Sequence, residues 1–216
     1  GGQIMAKSNK FGYSGVNIPT QGFRDNKGKF DPAEINELVA DNKWTQYGQL
    51  EHIKTVSATN STTLTVTDIK SDTYDVHFAT YQVDKNSDSS ANYPGWRFAE
   101  NGTMETGNVY YGTAQWYSVG NSSNNANSTS VDEIRVGIGS SYSMVFGGYT
   151  YFYNLGHSNA YSYASGQMSC AETGGTPFMA TFAGVLRQTS FCDQIQFNGS
   201  ATCPLIKVSL YGIRMY

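Results

Sequence analysis

Charge is scarce in this chain. Asp, Glu, Lys and Arg make up 14% of its 216 residues, 17 acidic against 14 basic. Without a basic surplus there is no field to hold a phosphate backbone, so nucleic acid is not an expected partner. Cysteine is scarcer. Cys170, Cys192 and Cys203 are too few and too scattered for a disulfide scaffold or a zinc site. Three, an odd count, fits folding in a reducing cytosol. No apolar run approaches the ~18 residues of a membrane span, so no membrane insertion is expected. The opening Gly1 to Lys7 lacks the apolar centre of a secretory signal, and none is expected. Aromatic residues, led by 16 Tyr, also reach 14%, which argues for a folded strand-and-turn protein over a disordered chain.

The pattern from Gly48 onward is that of strands. Leu64 and Val66 alternate with Thr63, Thr65 and Thr67. Tyr74, Val76 and Phe78 alternate with Asp75, His77 and Ala79, which sends His77 to an outer face. Trp96 to Glu100, Asn108 to Val119, Ile134 to Ile138, Tyr149 to Tyr153, Ala160 to Met168 and Phe178 to Val185 continue the series. Polar stretches at 84–95 and 120–130 read as exposed loops. The last run, Leu205 to Arg214, has Ile206, Val208 and Leu210 on one face. Asn198-Gly199 just before it is a strong hairpin signal. The expectation is a closing hairpin within nine or ten strands, an antiparallel jelly-roll-like β-sandwich. That hairpin register sets Cys192 opposite Leu205 and Cys203 opposite Gln194, out of step for a disulfide.

Residues 1–47 read differently, as an arm with one short helix, with the β-sandwich domain over 48–216. Gly12, Gly15, Pro19, Gly22 and Gly28 break the first part too often for regular structure. A helix at about 32–41 follows from Asp31 as cap, Pro32 at the first turn and Glu34 three after the cap. Its stripe of Ile35, Leu38 and Val39 must dock, on its own domain or on a neighbouring subunit. With Trp44 these three are the candidate assembly contacts.

No stretch carries visible chemistry. His52, His77 and His157 are the three histidines, and neither Gly-x-Ser-x-Gly nor His-Glu-x-x-His occurs. Asp84-Lys85-Asn86-Ser87-Asp88 starts like a calcium loop, but Ser89 replaces its glycine and Gly95 its glutamate. Gly137-Ile138-Gly139 lacks the third glycine of a dinucleotide fingerprint. Asn60, Asn101 and Asn127 begin glycosylation triplets that a chain this rich in Asn, Ser and Thr produces by chance. No cofactor, no metal and no enzymatic activity are expected, with a carboxylate-pair glycosidase as the remaining enzymatic alternative.

Four strings carry a resemblance. Lys43-Trp44-Thr45-Gln46-Tyr47-Gly48-Gln49-Leu50-Glu51 comes first, then Ser71-Asp72-Thr73-Tyr74-Asp75-Val76-His77-Phe78. Tyr149-Thr150-Tyr151-Phe152-Tyr153-Asn154-Leu155 and Val208-Ser209-Leu210-Tyr211-Gly212-Ile213 follow. In that order they resemble a β-sandwich (jelly-roll-like) module of virion structural proteins of marine tailed phages, including fibre-like ones. The resemblance spans Trp44 to Arg214. It implies a virion protein made in the host cytoplasm, other virion proteins as partners, and a homo-oligomer, a trimer by preference. It supplies no catalytic residues.

The aromatic excess is the strongest pointer to a binding surface. Tyr93, Trp96, Tyr110, Tyr111, Trp116, Tyr117, Tyr161 and Tyr163 fall in or beside the expected loops. Tyr and Trp combine rigid area with a polar handle, which suits sugars and protein interfaces alike. Ordinary strand packing explains them equally. Tyr93, Trp96, Tyr161 and Tyr163 are the candidate glycan- or receptor-binding residues. The expected function is host-surface adhesion by a tail or fibre-like appendage. The alternative is a capsid decoration protein anchored by its arm.

Overall fold

A computed structural model describes residue 36 and residues 50–84, 93–118, 124–137, 145–171, 175 and 177–213. The chain divides into two compact units, Gly1–Gly48 and Gln49–Tyr216. In the first, Asn36 is helical and exposed. The rest of the expected helix lies outside the described residues, as do Ile35, Leu38, Val39, Trp44 and the calcium-like loop from Lys85.

The second unit is nearly all-β: three quarters of the described residues are strand, and every pairing is antiparallel. The strands are β1 (Glu51–Val66), β2 (Val76–Asp84), β3 (Gly95–Glu100), β4 (Thr103–Met104), β5 (Tyr110–Ser118) and β6 (Asn124–Val131). They continue with β7 (Ile134–Arg135), β8 (Phe146–Tyr153), β9 (Tyr161–Ala171), β10 (Pro177–Thr189) and β11 (Cys192–Ile213). They form one sheet in the order β4-β3-β11-β2-β8-β9-β10-β5-β6, with β1 also on β11 and β7 on β3. The sheet curls on itself as a half-barrel. No described helix is long and apolar enough to cross a membrane.

β11 is the axis of this sheet. Its first half pairs with β3, from Cys192↔Glu100 to Asn198↔Gly95. Its second half pairs with β2, from Leu205↔Asp84 to Ile213↔Val76. β1 runs beside both halves. The expected closing hairpin is therefore wrong. Each half of β11 bonds to distant strands, and that long-range pairing overrides the local Asn-Gly signal. Against β1 the register jumps from Ser61↔Cys203 to Thr63↔Asn198, so residues 199–202 bulge out. Ser200 takes up the bend at φ 66°, and Asn60 does so on β1 at φ 50°. Gly199 has no Cβ because one would lie 2.6 Å from Cys203 Sγ. Such bulges bend a strand and increase its local twist. The cysteine register drawn from the hairpin falls with it. Cys192 and Cys203 lie along one strand, and Cys192 to Asn198 alone spans ~20 Å, beyond disulfide reach. No disulfide joins any of the three cysteines.

The core is aromatic. Trp96 and Phe98 from β3 meet Phe152 from β8 at centroid distances of 5.0 and 6.0 Å, edge to face. Phe197 from β11 and Tyr81 from β2 complete the cluster around Trp96. The predicted buried face of the last strand holds: Ile206, Val208 and Leu210 are fully buried. At β2 the predicted face is inverted. His77, Ala79, Tyr81 and Val83 point inward, and Phe78 points out. The buried His77 puts Nε2 2.8 Å from the Ile69 carbonyl, and burial holds its pKa below the usual imidazole value. The expected loop at 120–130 contains β6, which pairs with β5. A strand on the sheet's edge needs backbone partners more than apolar side chains, so its Asn, Ser and Thr content concealed it.

Candidate functional site

Strand parity decides which side chains leave the core. On β8, Phe146 and Phe152 face inward, and Tyr149, Tyr151 and Tyr153 face out. Register carries that outer face sideways: Tyr153 pairs with Tyr163, Tyr163 with Val185, and Val185 with Tyr111. β10 is the low strand in this series, because its outward residues Ala183 and Val185 are smaller than the flanking tyrosines. Its neighbour Gly184 is small for an inner reason: a Cβ there would sit 2.6 Å from Ile134 Cγ2. The result is an open groove of about 850 Å³ crossing β9, β10, β5 and β6.

Tyr161, Tyr163 and Tyr111 wall the groove, Ser165, Ala183 and Val185 floor it, and Asn127, Thr129 and Asn154 stand at its rim. Tyr161 is the most open ring, at 54% exposure, with Tyr163 at 41%. One face of Tyr163 stacks on Tyr153 at 4.6 Å and 15°. Tyr153 lies on the β8 side, so the other face of Tyr163 looks across β10 into the groove. Tyr111 is held by Arg187, whose guanidinium lies 4.3 Å over the ring and donates from Nη1 to the hydroxyl at 2.6 Å. Asn154 turns the chain at φ 61° and donates from Nδ2 to the Tyr161 carbonyl at 3.2 Å. Asn tolerates that left-handed conformation better than most residues. Its carbonyl accepts from Ser162 Oγ, which fixes the start of β9 under Tyr161.

Among the described residues no carboxylate, histidine, cysteine or lysine lines this groove. Its chemistry is ring faces beside neutral amides and hydroxyls. Such a surface can pack on the C–H face of a polar ligand while hydrogen-bonding its edges. Among the described residues no cluster of His, Cys, Asp or Glu could hold a metal ion.

The sequence candidates separate. Tyr161 and Tyr163 line the groove. Trp96 does not reach any surface: it is fully buried and donates Nε1–H to Thr150 Oγ1 at 2.9 Å. Its place as a binding residue is corrected, because the Pro94-Gly95 turn feeds β3 into the core. Tyr93 is half-buried with Arg135 stacked 4.3 Å over its ring. The cavity beside it measures about 20 Å³, room for a water and not for a sugar. Tyr110 is core as well, its hydroxyl bonded to the Phe98 amide at 2.9 Å. Tyr111, flagged among the aromatics but left off the candidate site, belongs to the groove. So do Asn127 and Asn154, which no sequence signal separated from their many neighbours of the same type.

One titratable cluster lies elsewhere. Glu133 is buried, and desolvation pushes its pKa up to about 7 against the pull of Asn198 and Arg97. Asn198 Nδ2 donates to Glu133 Oε2 at 2.7 Å, and Arg97 pairs chiefly with Asp132. These contacts tie the β6–β7 connection to β3 and to the bend of β11. They brace the fold and leave no free carboxylate pair.

Fold and groove together define an all-β antiparallel domain with a neutral, tyrosine-walled outer face. No protein-family model matches the chain, and no curated protein matches it significantly.

Proposed function

We propose that this domain is an adhesion module that binds a neutral glycan in the Tyr111–Tyr161–Tyr163 groove. The observation that carries the reading is the groove's composition: three tyrosine rings, small neutral floor residues and an amide and hydroxyl rim, with no charged side chain among its described lining residues and Arg187 engaged with the Tyr111 wall. Sugar rings present C–H faces and hydroxyl edges, and this surface offers a partner to each. The reading is of a binder, since ring faces, amides and hydroxyls make up the described lining and no carboxylate, histidine or cysteine is among it.

The location belongs to the same proposal and rests on the sequence resemblance. We read the domain as part of a tail or fibre-like appendage of a tailed-phage virion, in a homo-oligomer with other virion proteins. The jelly-roll-like description is likewise proposed. It draws support from the way β3 folds over β8, with Trp96 against Phe152.

The test is affinity electrophoresis in gels containing dextran, mannan, galactan or xylan. Retardation by one of these neutral polysaccharides is the expected result. Unchanged mobility in all four would overturn the glycan reading. Immunogold labelling of intact particles separates an appendage from a capsid decoration protein.

A further inference from the structure

The outer aromatic residues do not stop at the groove. Tyr153, stacked on Tyr163, is itself 6.4 Å from Tyr151. Tyr151 lies 4.8 Å from Phe78, and Phe78 lies 6.1 Å from Tyr211. His52 of β1 ends the row, 5.4 Å from Tyr211. The register explains the continuity: His52↔Tyr211, Tyr211↔Phe78 and Phe78↔Tyr151 are direct cross-strand partners. From β9 to β1 the row crosses four strand spacings, ~19 Å.

A second row runs beside it, two residues along on β11, β2 and β8. Thr55, Ser209, Thr80, Tyr149, Gln167 and Thr181 are successive cross-strand partners. Thr55 Oγ1 and Ser209 Oγ are 2.9 Å apart, and the Tyr149 hydroxyl donates to Gln167 Oε1 at 3.2 Å. An aromatic track and a hydroxyl-amide track therefore lie side by side, ~7 Å apart on β11, β2 and β8, both running across the strands. β8, β9, β10, β5 and β6 together hold a single charged residue, Arg187. Over β8 and β9 a charged polymer finds no counter-charge, and on β11 the exposed Lys207 stands beside Ser209 on the outer face. A neutral sugar chain, with alternating C–H faces and hydroxyl edges, matches both tracks.

We propose that the groove is one end of a longer site, and that an extended neutral polysaccharide crosses the sheet from it over β8 and β2 towards β11. The inference rests on the glycan-binding reading above and adds the ligand's length and direction. Cross-strand aromatic pairs also stabilise sheets without any ligand. The distinguishing consequence is a dependence of affinity on chain length.

The experiment uses the full chain and oligosaccharides, from disaccharide to octasaccharide, cut from each of the four polysaccharides named above. Titration calorimetry gives the affinity at each length. The site predicts affinity that climbs with length, each further ring contact adding about two- to tenfold. Tyr149→Ala/Tyr151→Ala should remove that gain and leave the shortest binding oligosaccharide unaffected. Tyr163→Ala should weaken every length. If affinity is flat with length, or the double variant binds the octasaccharide like the wild type, the extended site is wrong while the groove stands. If no oligosaccharide of any length binds, the groove reading and its extension fall together. A double variant that only alters sedimentation would instead make the row a contact between copies of this chain.

Discussion

Two sets of aromatic rings occupy opposite faces of the same sheet, and their differences are chemical. Inside, Trp96, Phe98, Phe146, Phe152 and Phe197 are almost wholly without exposure and meet largely edge to face. Outside, Tyr149, Tyr151, Tyr153, Tyr161 and Tyr163 keep part of their rings in solvent. The hydroxyl separates the two sets along β8, where the inward rings are Phe and the outward rings Tyr. The exceptions follow the same logic. Tyr110 and Tyr81 are buried, but their hydroxyls find backbone partners, at Phe98 and Glu105 for the first and at Gln167 for the second. Phe78 faces out but is flanked by Tyr149, Tyr151 and Tyr211. An aromatic residue in a strand therefore says little alone. Its parity and the fate of its polar atom decide whether it holds the fold or faces a ligand.

The sharpest way to break this division is to truncate one ring of each set. Trp96→Ala should cost about 3–5 kcal/mol, since it opens a cavity and leaves the Thr150 hydroxyl without its donor. The urea midpoint is the measurement, and a loss under 1 kcal/mol on that scale would show that Trp96 is not core.

Next in size is the buried brace at the bend. The Glu133 pKa of about 7 lies above its ordinary 4.5, so the folded state keeps a proton that the unfolded state has lost. Its contribution to stability is full below 4.5 and fades as pH rises to about 7. The fade amounts to about 3 kcal/mol at 1.36 kcal/mol per pKa unit. Glu133→Gln should remove that slope. Subtracting the variant's urea profile from the wild type's cancels His77, whose lowered pKa acts in the opposite sense. Parallel profiles would contradict the burial of a carboxyl at 133.

The outer rings should respond less. A double-mutant cycle on Tyr153 and Tyr163 should give a coupling of about 0.5–1.5 kcal/mol, the worth of a stacked pair beyond its area. Tyr149→Phe loses only a partly solvated hydrogen bond to Gln167 and should change stability by no more than about 0.5 kcal/mol. A larger loss in either case would move the outer face towards a structural role.

Much of the fold was legible because it depends on local alternation. Ile206, Val208 and Leu210 revealed their buried face by period two, as did Leu64 and Val66. The errors came where distant pairing decides. Asn198-Gly199 carries a hairpin signal, yet β1 lies alongside both flanks and turns it into a bulge. β2 was read on the wrong face because Phe78 outranks His77 in hydrophobicity, while neighbours on β8 and β11 cover Phe78 from the side. Half of the candidate groove was visible, in Tyr161 and Tyr163. Tyr111, Asn127 and Asn154 join it only through register, which links residues up to 74 positions apart, such as Tyr111 and Val185. Trp96 was misplaced because a Pro-Gly turn beside a polar loop looks exposed, although the chain there dives into the core.

One measurement bears most directly on the division between the two faces. Tyr161→Ala/Tyr163→Ala removes two groove walls and no core ring, so its circular dichroism should match the wild type's and its urea unfolding should stay cooperative, with a modest loss that includes the Tyr153–Tyr163 stack. In a gel containing the neutral polysaccharide that retards the wild type, the double variant should run as if the polysaccharide were absent. A folded double variant that is still retarded to the wild-type extent would contradict the assignment of this outer face to ligand binding.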